Sequence, residues 1–83
     1  MAHVILERMF DPPLTEERHA AFSEKLSPCL DRNGITWIRS HLSLDRSRLI
    51  CLFQAPDAGA VRGALRQARL EHERVWSCDL LEP

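Results

Sequence analysis

The order in which strand-like and helix-like segments follow one another most constrains the fold of this chain. Four runs are rich in large apolar and β-branched residues, as strands are, and they cover residues 3–10, 35–43, 48–54 and 74–81. Two segments between them place apolar residues three and four positions apart, as helices do. A polar loop, Glu71-His72-Glu73, precedes the last run. The predicted order is therefore strand, helix, strand, strand, helix, strand.

Local signals mark the limits of both predicted helices. Thr15 and Asp57 have side chains that cap a helix N-terminus, and Gly34 suits the left-handed residue that follows a helix. Pro28 lies inside the first helix, where it is expected to kink or split it. The predicted buried stripes comprise Phe22, Leu26, Cys29 and Leu30 in the first helix, and Ala58, Val61, Leu65 and Ala68 in the second.

This order of elements is that of the split βαβ, or ferredoxin-like, arrangement. Right-handed crossovers then give a four-stranded antiparallel sheet of order 4-1-3-2, with both helices packed on one face. At 83 residues, the chain is predicted to be a single α+β domain covering residues 1–83. No predicted element covers the other face of the sheet, which we call the open face.

The second predicted strand has side chains of two kinds. Ile38 and Leu42 are apolar and suit the face that the helices cover. The alternate positions, expected on the open face, carry Trp37, Arg39 and His41. Trp76 of the last strand is expected there too. A bare face with two tryptophans is poorly suited to contact water. We therefore expect a homodimer in which two open faces meet as a dimeric α/β barrel with a central cavity.

Several residues of the predicted cavity have side chains that bind metals. Glu7 falls on the open face of the first strand, which the predicted sheet order makes an interior strand. Cys51 and Cys78 lie on strands that are apolar on both faces, so alternation does not decide which face each thiol takes. The candidate metal ligands are Glu7, His41 and Cys51. The residues expected to line the cavity around them are Trp37, Arg39, Trp76 and Cys78.

Each candidate ligand also has a structural alternative. His41 could serve as a hydrogen-bonding residue of the cavity, and Cys51 could simply pack in the core. Glu7 could pair with an arginine such as Arg39 instead of binding a ligand. Cys51 and Cys78 flank the first strand, so their Cα atoms would be about 10 Å apart, which is too far for a disulfide.

Composition excludes several classes of function. A net charge of −1 gives no reason to expect nucleic acid or an anionic membrane as a partner, and no apolar run is long enough to cross a bilayer. The three cysteines form no CxxC pair, which favours a cytosolic protein with reduced thiols. The sequence has neither a GxSxG turn nor a glycine-rich phosphate loop. We therefore expect no nucleotide or organic cofactor and no serine triad.

Three segments resemble a family of small nickel-binding domains, and they read ERMFDPPLT, PCLDRNGITWIRSHLSLDRSRLICLFQAPDAGAVRGALRQA and RVWSCDLL. The resemblance runs from Val4 to Pro83. Its most specific pieces are Glu7-Arg8, Trp37 with Ser40, Cys51, Ala55-Pro56-Asp57 and Arg74-Val75-Trp76. The resemblance implies a ferredoxin-like subunit that dimerises into an α/β barrel, and nickel binding by at least one member. The ligand set above comes from the predicted face of the sheet and not from this resemblance.

The favoured function is that of a small cytosolic homodimer that binds Ni(II), for sequestration or delivery, without being an enzyme. Its ligands would be Glu7 and His41, with Cys51 as a further donor. Imidazole suits Ni(II), although zinc and copper accept the same donors. In a third interpretation, the protein is an interaction module, and packed side chains fill the cavity.

A function from a different class remains open beside nickel binding. Dimeric α/β barrels often oxidise or isomerise aromatic compounds without a cofactor, which is an analogy at the level of the fold. Here Trp37 and Trp76 would hold a planar substrate, and Arg39 would stabilise an oxyanion. His41 or Glu7 would act as the base.

Overall fold

Six elements follow one another in the predicted order in a computed structural model that describes residues 1–72 and 74–83. They are β1 (Ala2–Met9), α1 (Glu16–Arg32), β2 (Thr36–Leu42), β3 (Arg48–Ala55), α2 (Ala58–Gln67) and β4 (Arg74–Cys78). Glu73, the last residue of the predicted polar loop, lies outside the described residues.

The four strands form one antiparallel sheet of order β2-β3-β1-β4. This is the predicted order 4-1-3-2 counted from the other edge, so the fold prediction is confirmed. Both helices contribute to one hydrophobic core with the strands. The largest fully buried side chains of that core are Val4, Leu6, Leu26, Cys51, Phe53, Val61 and Leu65.

The predicted helix ends are confirmed by their hydrogen bonds and dihedral angles. The Thr15 hydroxyl accepts a bond from the backbone N–H of Arg18 at 3.2 Å, and the Asp57 carboxylate accepts one from Ala60 at 2.8 Å. Gly34 has φ of +67°, in the left-handed region. Within residues 1–72 and 74–83, neither helix has the length and apolar content that crossing a membrane requires.

The first helix does not split at its internal proline. α1 is continuous from Glu16 to Arg32 with Pro28 inside it. Pro28 is exposed, so water can hydrate the backbone carbonyl that loses its partner one turn earlier. The buried stripe of Phe22, Leu26, Cys29 and Leu30 is as predicted. In α2, the predicted residues Val61 and Leu65 are buried together with Ala64.

A β-bulge in β2 changes which side chains face the helices. Trp37 pairs with Phe53, but Arg39 already pairs with Leu52, so Ile38 is an extra residue without a partner on β3. The bulge therefore puts Trp37 on the helix side and Arg39 on the open face. Ile38 is 40% exposed. The prediction that Ile38 packs under the helices while Trp37 faces the open side is wrong.

The last strand is shorter than predicted. β4 ends at Cys78, which pairs with His3. Because β1 starts one residue earlier, at Ala2, residues 80 and 81 lie beyond the end of the neighbouring strand. The C-terminal residues instead line an open cavity of about 390 Å³ together with Ile5 and Arg39. On the other side of β4, the Arg62 guanidinium donates to the backbone carbonyl of Val75 at 2.7 Å.

The turn between β2 and β3 is organised by one carboxylate. Asp45 Oδ1 accepts bonds from the Ser43 hydroxyl at 2.7 Å, the Ser47 hydroxyl at 2.7 Å and the Ser47 N–H at 3.0 Å. These bonds, led by that from the Ser43 hydroxyl, lower the pKa of Asp45 from 3.8 to about 2. The ionised form of Asp45 is thus the one that holds the turn.

This turn should make part of the stability depend on acid. Because the pKa of Asp45 is lower in the folded chain, its contribution is fully present above pH 4 and is lost as the pH falls towards 2. Asp45→Asn should remove that component of the loss between pH 4 and 2, as measured by urea unfolding. Asp31→Asn, at another exposed aspartate, is the control. An unchanged acid profile in Asp45→Asn would contradict this role.

Candidate functional site

The register of the strands arranges the open face in three rows that run across the sheet, and a fourth pair, Met9 opposite Arg48, lies beyond the first row. Residues directly opposite one another on neighbouring strands share a face, so each row can be traced from strand to strand. The first row is His41, Ile50, Glu7 and Arg74. The second is Arg39, Leu52, Ile5 and Trp76, and the third is Thr36, Gln54, His3 and Cys78. Five of the candidate residues therefore lie on the open face: Glu7, Arg39, His41, Trp76 and Cys78.

Glu7 and His41 lie in the same row, on either side of Ile50. Strand spacing puts their Cα atoms about 10 Å apart, with the strand that carries Ile50 between them. Glu7 does not pair with Arg39, which lies in the next row and two strands away. Instead, Glu7 Oε2 accepts a hydrogen bond from the Trp76 indole N–H at 2.7 Å. That bond orients the carboxylate and leaves its other oxygen available.

Cys51 takes the opposite face, which corrects its place among the candidate ligands. It pairs with Leu6 and Ser40 on the helix side of the sheet and has no exposed surface. Burial raises the pKa of the Cys51 thiol, and the hydrogen bond with Ser40 offsets this only in part. A neutral thiol below the sheet cannot complete a metal site with Glu7 and His41 above it.

Trp37 also belongs to the helix side, so it does not line the open face as predicted. Its ring centroid lies 5.9 Å from that of Phe22 and 5.5 Å from that of Phe53. Its indole N–H donates to the Ser40 hydroxyl at 2.8 Å, and Ser40 is opposite Cys51. Trp37, Ser40 and Cys51, which help to carry the family resemblance, thus form one structural cluster between sheet and helix.

A second pair of possible metal donors lies at the other end of the open face. His3 and Cys78 are directly opposite each other on β1 and β4. Cys78 is partly exposed, whereas Cys29 and Cys51 are buried. His3, Cys78 and the following Asp79 line an open cavity of about 490 Å³. This pair is separated from Glu7 and His41 by the row that contains Ile5.

The described part of one chain does not assemble a complete metal site. Among residues 1–72 and 74–83, no three histidine, cysteine, aspartate or glutamate side chains are grouped closely enough to hold an ion. One chain offers Glu7 with His41, or His3 with Cys78. A metal at either pair needs further ligands from water, a small molecule or a second subunit.

Sequence analysis missed two arginines beside Glu7. Arg74 is opposite Glu7 on β4, and Arg48 is opposite Met9 on β3. Both line a cavity of about 200 Å³ with Glu7 and Ile50. Their signal in the sequence was a spacing of two residues from Ile50 and Trp76, which puts them on the same face.

Comparisons with known proteins agree with the fold. Residues 5–77 match the model of a family described as "Nickel responsive protein SCO4226-like". Among solved structures, the crystal structure of SCO4226 from Streptomyces coelicolor A3(2) is similar, with a TM-score of 0.77 and 20% sequence identity. The match covers 98% of this chain and 100% of that chain, and at this identity it establishes the fold alone. No curated protein matches the sequence.

Proposed function

Because this chain belongs to the family of SCO4226-like nickel-responsive proteins, we propose that it binds Ni(II) on the open face of its sheet. The observation that carries this proposal is the shared row of Glu7 and His41, which flank Ile50 from both sides. Imidazole and carboxylate are both ligands that Ni(II) accepts. When bound, the ion would be sequestered or delivered, and we expect no reaction at the site.

The donors fit nickel in kind but supply only part of its coordination. His41 is exposed and Glu7 is partly exposed, so both can reach an ion above Ile50. Ni(II) takes at least four ligands in its preferred geometries. Two protein donors therefore leave positions that groups from outside the chain must fill.

The open face also supports the proposed homodimer. Trp76 is 45% exposed and Met9 is 62% exposed, while Ile5 and Ile50 on the same face are partly exposed. A contiguous apolar surface of this kind typically marks an interface. In a symmetric dimer, each open face would cover the other and bring two copies of the Glu7 and His41 row together. The free cysteines suit the reducing cytosol, where we place the protein.

The alternative function, a barrel enzyme for aromatic substrates, loses one of its supports. It relied on Trp37 and Trp76 as two indoles around a planar substrate. Since Trp37 packs against Phe22 and Phe53, the open face retains Trp76, whose indole N–H is bound to Glu7. Nickel binding therefore remains the better supported function.

Nickel titration of the protein without an affinity tag tests the proposal. His41→Ala combined with Glu7→Ala should weaken Ni(II) binding by roughly a hundredfold or more, since loss of even an outer-shell partner costs ten- to a hundredfold. Isothermal calorimetry gives the affinity and the number of ions per chain.

Two variants serve as controls for this titration. His19→Ala removes a histidine of α1 that packs beside Phe22 and Trp37 on the helix side of the sheet, so it should bind Ni(II) like the wild-type protein. His3→Ala removes one donor of the second pair, His3 and Cys78. It therefore distinguishes binding at that pair from binding at Glu7 and His41. Saturable binding that is unchanged in the double variant would refute the proposed ligands. Lack of any saturable binding by the wild-type protein would refute the function.

A further inference from the structure

The charge beside Glu7 is opposite to what a bare metal cation needs. Arg8, Arg48 and Arg74 line one cavity with Glu7. The Arg8 guanidinium lies over the Phe22 ring on the helix side. On the open face, Arg48 and Arg74 therefore place two positive charges beside one negative charge. Over residues 1–72 and 74–83, neither guanidinium makes an ion pair or hydrogen bond with a carboxylate. A Ni(II) ion placed here would be repelled by two groups for each one that attracts it.

The imbalance is confined to this end of the open face. Arg39 lies in the next row and lines a different cavity, together with Asp79 and Glu82 of the C-terminal residues. Its charge is therefore accompanied by two carboxylates. The cavity that contains Arg48 and Arg74 is the smaller of the two, at about 200 Å³ against about 390 Å³.

A second copy of the chain does not correct the imbalance. In a symmetric dimer, both subunits contribute the same surface. Each added Glu7 and His41 therefore arrives with an added Arg48 and Arg74. The ratio of basic to acidic side chains around the site stays the same, whatever the distance between the two faces.

We propose that the open face takes nickel as an anionic chelate, in which Ni(II) is already bound to a small di- or tricarboxylate. This inference rests on the proposed function and names the form of its ligand. Arg48 and Arg74 bind outer carboxylate oxygens of the chelator, for which the guanidinium fork is well suited. His41 and Glu7 replace water on the metal. The chelator supplies the remaining ligands and the negative charge.

This inference joins three observations that nickel binding alone leaves unconnected. One chain brings too few donors together for a complete site. Two arginines on the same face make no ion pair in the described chain. They share one small cavity with Glu7, a donor of the proposed site. A carboxylate chelate would complete the coordination and neutralise the arginines at once.

Equilibrium dialysis with two labels tests the inference, with ⁶³Ni and ¹⁴C-citrate mixed in equal amounts as the probe. The wild-type protein should retain both labels in a 1:1 ratio. Arg48→Gln combined with Arg74→Gln should weaken retention of the nickel–citrate complex by roughly tenfold or more, because hydrogen bonds between charged groups are lost. The same double variant should bind Ni(II) without citrate at least as well as the wild-type protein does.

Lys25→Gln combined with Arg66→Gln is the matched control. It removes two positive charges from exposed helix positions and should retain both labels. The single variants Arg48→Gln and Arg74→Gln, checked by circular dichroism, replace the double variant if it does not fold.

The outcomes separate this inference from the proposed function. Retention of nickel without citrate would overturn the inference and leave nickel binding intact. Equal retention by the wild-type protein and the Arg48→Gln/Arg74→Gln variant would also overturn it. Citrate that binds as tightly without nickel would refute a chelate as the ligand. Failure to retain nickel in either form would refute the proposed function itself.

Discussion

Replacement of Trp37 by alanine should lower the free energy of unfolding by about 3 kcal/mol, the lower end of the range for aromatic residues in a core, because Trp37 is partly buried and packs against the core. The indole packs between Phe22 and Phe53 and donates a hydrogen bond to Ser40. The loss would be a large part of the 5–15 kcal/mol that holds a typical domain together. Urea unfolding followed by circular dichroism measures it, and the loss should not depend on protein concentration.

Trp76→Ala is the matched control because Trp76 is the second of two tryptophans in the chain. It lies on the open face and is 45% exposed, so its loss should cost less than about 1 kcal/mol at low protein concentration. At high concentration the cost should grow, since the dimer adds stability by mass action. If Trp37→Ala leaves stability unchanged, the placement of this indole under α1 is incorrect.

Replacement of Ile5 by lysine should abolish the homodimer at micromolar concentrations. Ile5 lies at the middle of the open face, between Leu52 and Trp76. The substitution adds a positive charge to a face that already has several arginines, and a symmetric dimer contains it twice. Like charges that meet at an interface cost several kcal/mol, so the dissociation constant should rise roughly a hundredfold or more. Sedimentation velocity measures the change.

Leu44→Lys is the control for this substitution. Leu44 is fully exposed in the turn between β2 and β3, so the variant adds the same charge away from the open face and should remain a dimer. If Ile5→Lys dimerises like the wild-type protein, the open face is not the interface. A wild-type protein that is monomeric at high micromolar concentration would contradict the dimer itself.

The sheet order could be predicted because it follows from the sequence of elements and the handedness of their connections. The helix ends were also predictable, since Thr15 and Asp57 accept the bonds that capping requires. The length of β4 was not predictable, because Leu80 and Leu81 are apolar enough to continue a strand. By the register of β4 on β1, residues 80 and 81 lie beyond Ala2, where β1 starts, and therefore have no neighbouring strand.

The faces of β2 and β3 were harder to predict, for two physical reasons. A bulge at Ile38 inverts the alternation after Trp37, and nothing in a pattern of period two shows where such an extra residue lies. In β3, Cys51 and Leu52 are both buried although they face opposite sides. Alternation therefore carries no information about which side the Cys51 thiol takes.

The candidate site was predictable where a polar residue interrupts an apolar strand. Glu7 and His41 stand out because each is next to a leucine, Leu6 or Leu42, that suits burial. Arg48 and Arg74 do not stand out, since the chain has ten arginines and most lie on helices or in turns. Their importance depends on which strands are adjacent and on the lack of a carboxylate partner within residues 1–72 and 74–83, and both are properties of the folded chain.

The two edge strands of the sheet, β2 and β4, have a consequence for solubility. Edge strands with free backbone groups invite other chains to add to a sheet, which leads to fibrils. In β4, the carbonyl of Val75 is already bound by Arg62. In β2, the bulge at Ile38 breaks the regular spacing that an incoming strand would need. A chain with so apolar an open face can thus pair through that face while its edges resist growth into amyloid-like ribbons.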